Sequence, residues 1–283
     1  MMKPEDVITP CVDVDGLWFK REDNYAPFGR DSVNGGKLRQ CFKLVESIKD
    51  SYDGVISCCS VHSPQAPITA AVAKHFGMEC VIFYGGTNKD RLKDLSMPMI
   101  ALEYGAKINI VARTGRHNVL YSKATEYATK NRFFVVEYGF NITQNPELML
   151  GAVSRQVQNI PDEIDNLIVT CGSGITTIGI LMGLQQYHKK VNKVHIVATA
   201  PDRTEKIKRY AERELVVHDL FHREGFVYEK GVNATYKGIK LHPQYEAKSF
   251  SWLYHNSGID IHNGKNLFWI VGAEPELRKR ARN

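Results

Sequence analysis

From Asp53 onward the chain alternates short apolar strands with helical stretches, and this alternation constrains the fold more than any other feature. Gly54-Val55-Ile56-Ser57-Cys58 reads as a fully buried strand, Glu79 to Tyr84 as the next, Lys107 to Val111 as a third and Phe133 to Glu137 as a fourth. Predicted helices lie between them. One is opened by Ser63-Pro64-Gln65, runs through Ala70, Ala71, Ala73 and Phe76, and is stopped by Gly77. Another covers 89–104, interrupted near Pro98 and ended by Gly105, and a third covers 118–130. After a polar bridge from Asn141 to Pro146 the pattern resumes. It predicts a helix from Glu147 to about Gln158, a strand over 166–170, a helix over 176–188 and a strand over 194–198. Residues 202–240 are polar and weakly periodic, and read as a helix over 203–213 followed by loop. A helix over 245–255 and a strand over 266–271 close the series. Strands apolar along their whole length, alternating with helices, predict an α/β fold with mainly parallel sheets covered on both faces.

The 283 residues suit one large or two medium domains. A formal net charge of +6 permits an anionic partner without requiring one. The six cysteines (Cys11, Cys41, Cys58, Cys59, Cys80 and Cys171) show no metal-ligand spacing and read as mostly buried, reduced thiols. The ten histidines form no HExxH pattern, and no metal site is expected. No apolar run approaches membrane-spanning length, and the N-terminus lacks a signal-peptide core, so a cytoplasmic protein is expected.

Before the alternation, Leu17 to Lys20 reads as a strand closed by the charged run Lys20-Arg21-Glu22-Asp23. Asn24 to Asp31 is a loop broken by Pro27 and Gly29. Then comes Asn34-Gly35-Gly36-Lys37-Leu38-Arg39-Gln40, the start of a predicted helix reaching about Lys49. Lys37, Leu38, Gln40, Cys41, Leu44, Val45 and Ile48 form the stripe at helical spacing that predicts it. Lys37 therefore sits behind two glycines at the positive end of a helix dipole. There it is either an ordinary solvated cation or, if desolvated, an amine of lowered pKa able to attack an aldehyde and form a Schiff base.

A second motif bears on that choice. Strand 166–170 runs into Cys171-Gly172-Ser173-Gly174-Ile175-Thr176, where glycine backbone and a helix N-terminus make a candidate phosphate cup. Gly179 falls five residues after Gly174, which is not the dinucleotide fingerprint, and no Gly-Lys-Ser/Thr ends a P-loop. A Schiff-base lysine, a phosphate cup and a carboxylate for a pyridine nitrogen are the three requirements of pyridoxal phosphate. The third is offered by Glu246 in Tyr245-Glu246-Ala247-Lys248-Ser249.

Taken together, these segments resemble the fold-type II, tryptophan-synthase-β-like, pyridoxal-phosphate enzymes, nearest the branch of aminocyclopropane-carboxylate deaminase and D-cysteine desulfhydrase. The likeness rests on Lys20-Arg21-Glu22-Asp23, Gly35-Gly36-Lys37-Leu38-Arg39, Ser63-Pro64-Gln65, Gly172-Ser173-Gly174, Tyr245 to Ser249 and Phe268-Trp269-Ile270-Val271-Gly272, in order along nearly the whole chain. It implies two three-layer domains, a small one at 51–139 and a large one from 1–50 plus 140–283, in a homodimer. It also implies that Lys37 holds pyridoxal 5'-phosphate and acts as base or acid at the substrate α-carbon. Gly172, Ser173, Gly174, Ile175 and Thr176 would take its phosphate, and Glu246 would meet the ring nitrogen. Ser63, Gln65 and His62 would bind substrate, with Ser63 and Tyr245 as further catalytic groups.

Pro64 departs from the branch, where an asparagine hydrogen-bonds the cofactor's phenolic oxygen and the substrate; His62, Ser63 or Gln65 must take that role, or the chemistry differs. Asn-Gly-Gly-Lys-Leu-Arg-Gln with Ser-Val-His-Ser-Pro-Gln is similar to bacteriophage members linked to thymine hypermodification. That resemblance implies a lyase-type reaction (elimination, deamination or decarboxylation) on an amino-acid moiety attached to a DNA base, in host cytoplasm. The alternatives are a free small amino acid as substrate, or a non-catalytic binding protein that keeps the fold. For DNA, Arg203, Lys206, Lys208, Arg209 and Arg278 to Arg282 are candidate phosphate contacts.

Overall fold

The computed structural model describes residues 6–111, 116–140, 146–211 and 214–276. The chain divides into two compact units, Met1–Tyr25 with Asn145–Glu274, and Ala26–Gln144 with Pro275–Asn283. Residues 26–50, assigned by resemblance to the large domain, belong instead to the second unit. The reason is packing: their helix, α1 (Gly36–Ile48), lies on α2 (Gln65–His75) of the same unit.

The second unit is built on the four predicted strands. β3 (Gly54–Cys58), β4 (Glu79–Tyr84), β5 (Lys107–Ile110) and β6 (Phe133–Val136) are all parallel, in the order β5-β4-β3-β6. β3 is buried at every residue because both faces are covered. One face carries α5 (His117–Asn131), where Leu120, Ala124 and Ala128 meet Ile56, Val81 and Phe83. The stretch expected as one interrupted helix is two, α3 (Lys89–Leu92) and α4 (Ser96–Glu103). Pro98 lies in the first turn of α4, where its missing N–H costs nothing, so it marks a helix start.

In the first unit, an N-terminal hairpin of β1 (Cys11–Val14) and β2 (Leu17–Arg21) joins four further strands. These are β7 (Glu163–Cys171), β8 (Lys190–Ala198), β9 (Leu215–Asp219) and β12 (Asn266–Ile270). The order is β1-β2-β12-β7-β8-β9, antiparallel only at the hairpin. Alternate residues serve opposite faces. Leu167, Val169, Val194, Ile196, Leu267 and Trp269 pack under α6 (Pro146–Ser154) and α7 (Ile175–Gln186). Phe19, Ile168, Val197, Phe268 and Ile270 pack with Phe250, Trp252 and Leu253 of α9 (Glu246–Asn256).

The irregular stretch 202–240 contains more than the sequence showed. α8 (Thr204–Lys208) is shorter than the expected helix, β9 is an edge strand, and β10 (Thr235–Tyr236) pairs with β11 (Ile239–Lys240). Lys20 and Glu22, in the charged run that closes the first predicted strand, are buried. Lys20 Nζ donates to the Thr9 carbonyl and Asn159 Oδ1, each at 2.7 Å, and Thr9 donates to Glu22 at 2.7 Å. The partners from 156–159 turn the expected charged terminus into an internal lock.

Gly179 and Gly183 are spent on packing. A Cβ at Gly183 would stand 2.5 Å from the Ser154 carbonyl and from Val157 Cγ2, so the helix backbones touch there. Gly151 of α6, by contrast, has nothing within 4 Å of a built Cβ. Gly183→Ala should therefore lower stability by about 1–3 kcal/mol through overpacking. Gly151→Ala should raise it by up to about 1 kcal/mol through helix propensity. Urea denaturation of both variants checks the opposite signs.

Candidate active site

In the first unit, β7 and β12 are parallel neighbours, pairing Leu267 with Leu167 and Trp269 with Val169, so their C-terminal ends lie side by side. Ligand sites of parallel sheets form at such ends. The loop Gly172-Ser173-Gly174 leaves β7, and Gly174 caps α7 with φ +84°, a conformation glycine adopts without strain. The Cys171 carbonyl accepts from the Thr199 N–H at 3.0 Å, tying the loop to the end of β8. A Cβ at Gly172 would meet nothing within 4 Å, so that side is open, whereas one at Gly174 would meet Arg203 Cβ and Ile207 Cγ1 at 3.4 Å. The Thr177 hydroxyl, in the first turn of α7, is buried with no hydrogen-bond partner. Helical N–H groups and an orphaned hydroxyl are what a phosphate needs.

Beside it, Glu246 begins α9 with its side chain buried, 2% exposed. Its Oε1 accepts from the Val271 N–H at 3.0 Å, just past β12. Burial pushes the carboxyl up to about 7, backbone N–H groups oppose the shift, and Asp23 adds to it. Among the described residues no cationic side chain pairs with it. A buried carboxylate without a cation is the complement of a protonated ring nitrogen.

Tyr245 precedes Glu246, and its hydroxyl lies 2.5 Å from that of Tyr228. Tyr228 went unread in the sequence because it comes from the irregular stretch and carries no local signal. Lys248 fixes that stretch: its Nζ donates to the carbonyls of Val227 at 2.9 Å and Tyr228 at 3.0 Å and lies 4.5 Å from the centre of the Phe226 ring. His242, 4.9 Å from the Tyr245 ring, is buried, and burial pushes its imidazole down to about 3. It is neutral, with Nδ1 accepting from the Gln244 N–H at 3.3 Å.

Lys37, His62, Ser63 and Gln65 belong to the second unit. The predicted helix start holds: Gly35 caps α1 at φ +92°, Gly36 is its first residue and Lys37 its second. Lys37 is half-buried; its Nζ donates to the Gly139 carbonyl at 3.4 Å and lies 5.9 Å from the Phe140 ring centre. Pro64 caps α2 without a side-chain hydrogen bond, and Ser63 Oγ accepts from the Gln65 N–H at 3.3 Å. The His62 N–H donates to Ser60 Oγ at 3.3 Å. Gln65 is not placed as expected of a substrate ligand. Both its amide hydrogens are taken, by Ser57 Oγ and the Glu137 carbonyl at 3.1 Å each, leaving no donor for a carboxylate.

Of the candidate DNA contacts, Arg203 to Arg209 lie on or beside α8, with Lys208 paired to Glu205 at 3.2 Å. Arg278 to Arg282 lie outside the described residues.

The residues fit pyridoxal phosphate. The first unit offers an anion cradle and a carboxylate lacking a cation; the second offers a lysine at a helix start. Comparison with known proteins agrees. Residues 4–260 match the pyridoxal-phosphate dependent enzymes. The O-seryl-dTMP PLP-dependent decarboxylase of Salmonella phage ViI is 26% identical, over 92% of this chain and 79% of that protein. The 1-aminocyclopropane-1-carboxylate deaminase of Pseudomonas syringae pv. tomato is 27% identical, over 92% and 87%. The crystal structure of an ACC deaminase homologue superposes with a TM-score of 0.73 over 92% of this chain and 85% of that one, at 21% identity, a likeness of fold.

The Glu246 environment sets a pH dependence. Its folded pKa, about 7, lies above the ordinary 4.5, so the folded state holds the proton more tightly. That contribution is complete below the unfolded value and lost as pH rises through about 7. Cofactor-free protein should therefore lose up to about 3 kcal/mol between pH 5 and pH 8 that Glu246→Gln does not lose. Paired urea denaturations at the two pH values measure the difference.

Proposed function

The chain belongs to the pyridoxal-phosphate-dependent enzyme family, and from that premise we propose that it decarboxylates an amino-acid moiety carried on a thymine nucleotide in DNA. The observation that carries this reading is the similarity, over 92% of the chain, to a phage decarboxylase of O-seryl-dTMP. It is supported by the loop before α2. Pro64 donates nothing, and the Gln65 amide hydrogens are spent. A substrate carboxylate held by few donors is less stabilised against leaving as carbon dioxide.

When bound, the cofactor supplies an electron sink for the carbanion left at the α-carbon. Lys37 would hold it covalently and is the candidate acid or base at the substrate α-carbon. Gly172 to Thr176 would bind its phosphate, Glu246 would face its ring nitrogen and favour the protonated ring, and the paired hydroxyls of Tyr245 and Tyr228 would hold a proton. Ser63 and His62 orient the substrate. Arg203, against the phosphate-binding loop, with Arg209 beyond α8, is suited to the nucleotide's phosphates.

A second reading, deamination of a free small amino acid, is favoured by the 27% identical deaminase. Nucleoside mass spectrometry after incubation with seryl-thymine DNA distinguishes them. The expected result is loss of one carboxyl from the modified nucleoside, reduced at least about 10²-fold in Lys37→Ala. Keto-acid release from free amino acids, with modified DNA unchanged, overturns it. Borohydride should fix the cofactor to the peptide containing Lys37. Binding to duplex DNA should weaken by about one log unit per log unit of salt for each phosphate neutralised, as a salt titration would measure.

A further inference from the structure

We propose that Gln65 is a positioning residue for Lys37, acting through the turn Glu137–Phe140 and not through a substrate carboxylate. Gln65 is the first residue of α2 and only 2% exposed. Its Nε2 donates to Ser57 Oγ on β3 and to the Glu137 carbonyl after β6, and its Oε1 accepts from the Gly139 N–H at 2.8 Å. The one amide thus grips the turn on both sides of Tyr138.

That turn is strained. Gly139 has φ +68° and Phe140 φ +58°, and Phe140 is fully buried. A bulky residue in the left-handed region persists only where its surroundings impose it. The strained turn meets Lys37: the Gly139 carbonyl accepts from Lys37 Nζ, and the Phe140 ring faces the same amine. Ser57, Gln65, Gly139 and Lys37 form one hydrogen-bonded series across β3, α2, the turn and α1. The lone pair left on Gln65 Oε1 cannot bind a carboxylate, which needs donors. Gln65 therefore serves the lysine.

This inference rests on the reading that Lys37 holds the cofactor, and the test separates the two. Gln65→Leu, Gln65→Glu and Ser57→Ala are compared with the unaltered chain. Pyridoxal phosphate with borohydride gives the labelling rate at Lys37, relative to other lysines in the same sample, from peptide mass spectrometry. Amide hydrogen exchange at Gly139 and Phe140 is measured in cofactor-free protein. Gln65→Leu should slow Lys37 labelling about tenfold, the equivalent of one ordinary net hydrogen bond, and speed exchange at the two amides as much. Gln65→Glu, which keeps only an acceptor, should fall in between, and Ser57→Ala should move both readouts less, in the same direction. The last two variants carry the test should Gln65→Leu fail to fold. Faster exchange with Lys37 labelling unchanged in every variant, or neither readout moved, overturns the inference. Labelling of a different lysine in the unaltered chain overturns the cofactor assignment itself.

Discussion

The first unit depends on the insertion of β12 between β2 and β7. Parallel pairing on both sides makes the last strand in the chain the link between the N-terminal hairpin and the β7–β8–β9 series. Without it the sheet is two fragments, each exposing a row of unpaired backbone groups. All five β12 residues are buried, Trp269 completely, and its neighbours on the two faces come from different helices. The same insertion puts the Val271 N–H against Glu246 and the end of β12 beside the loop that leaves β7. The strand that closes the core therefore also brings the glycine loop after β7 and the Glu246 carboxyl to one end of the sheet.

Legibility in the sequence follows burial. β3 and β4 read to their observed ends because strands covered on both faces are apolar throughout. β1 and β9 did not read, since they lie at the sheet's two edges and mix exposed with half-buried residues. Even so, Asp15-Gly16 was a hairpin signal: both residues have positive φ, as a two-residue turn requires. The burial of Lys20 and Glu22 was not legible: charge is ordinarily a surface mark, and their lock combines Thr9, close in sequence to both, with Asn159, 139 residues from Lys20. In the candidate site, the glycine-marked helix starts at Lys37 and Gly174 were legible, while Tyr228 and the Gln65–Gly139 bond were not, because only tertiary folding creates those pairs.

Local rules break where the candidate site is. Phe140 sits in the left-handed region, Glu246 is a buried carboxyl held up near 7, and Thr177 keeps an unpartnered hydroxyl. Each is a cost that the packing of its unit must offset. The same kinds of conflict occur elsewhere: Asp15, Arg132, His188 and Lys237 are left-handed, and Tyr84 and Trp269 bury polar atoms that lack a hydrogen-bond partner among the described residues.

The start of α9 shows how the fold keeps one of these groups available. Glu246 and Lys248 are both buried and oppositely charged, yet they do not pair. Two residues apart on a helix, they face different directions. Lys248 is satisfied by the carbonyls of Val227 and Tyr228 and by the Phe226 ring, while Glu246 is satisfied in part by the Val271 N–H. Burial lowers the Lys248 pKa and raises that of Glu246, so each pays for its own desolvation. Had they paired, each would have offset the other and the carboxylate would have had no electrostatic need of a further cation. Turning the lysine away, and holding it with backbone, leaves Glu246 without a cationic partner among the described residues. The same lysine secures the segment that brings Tyr228 to Tyr245.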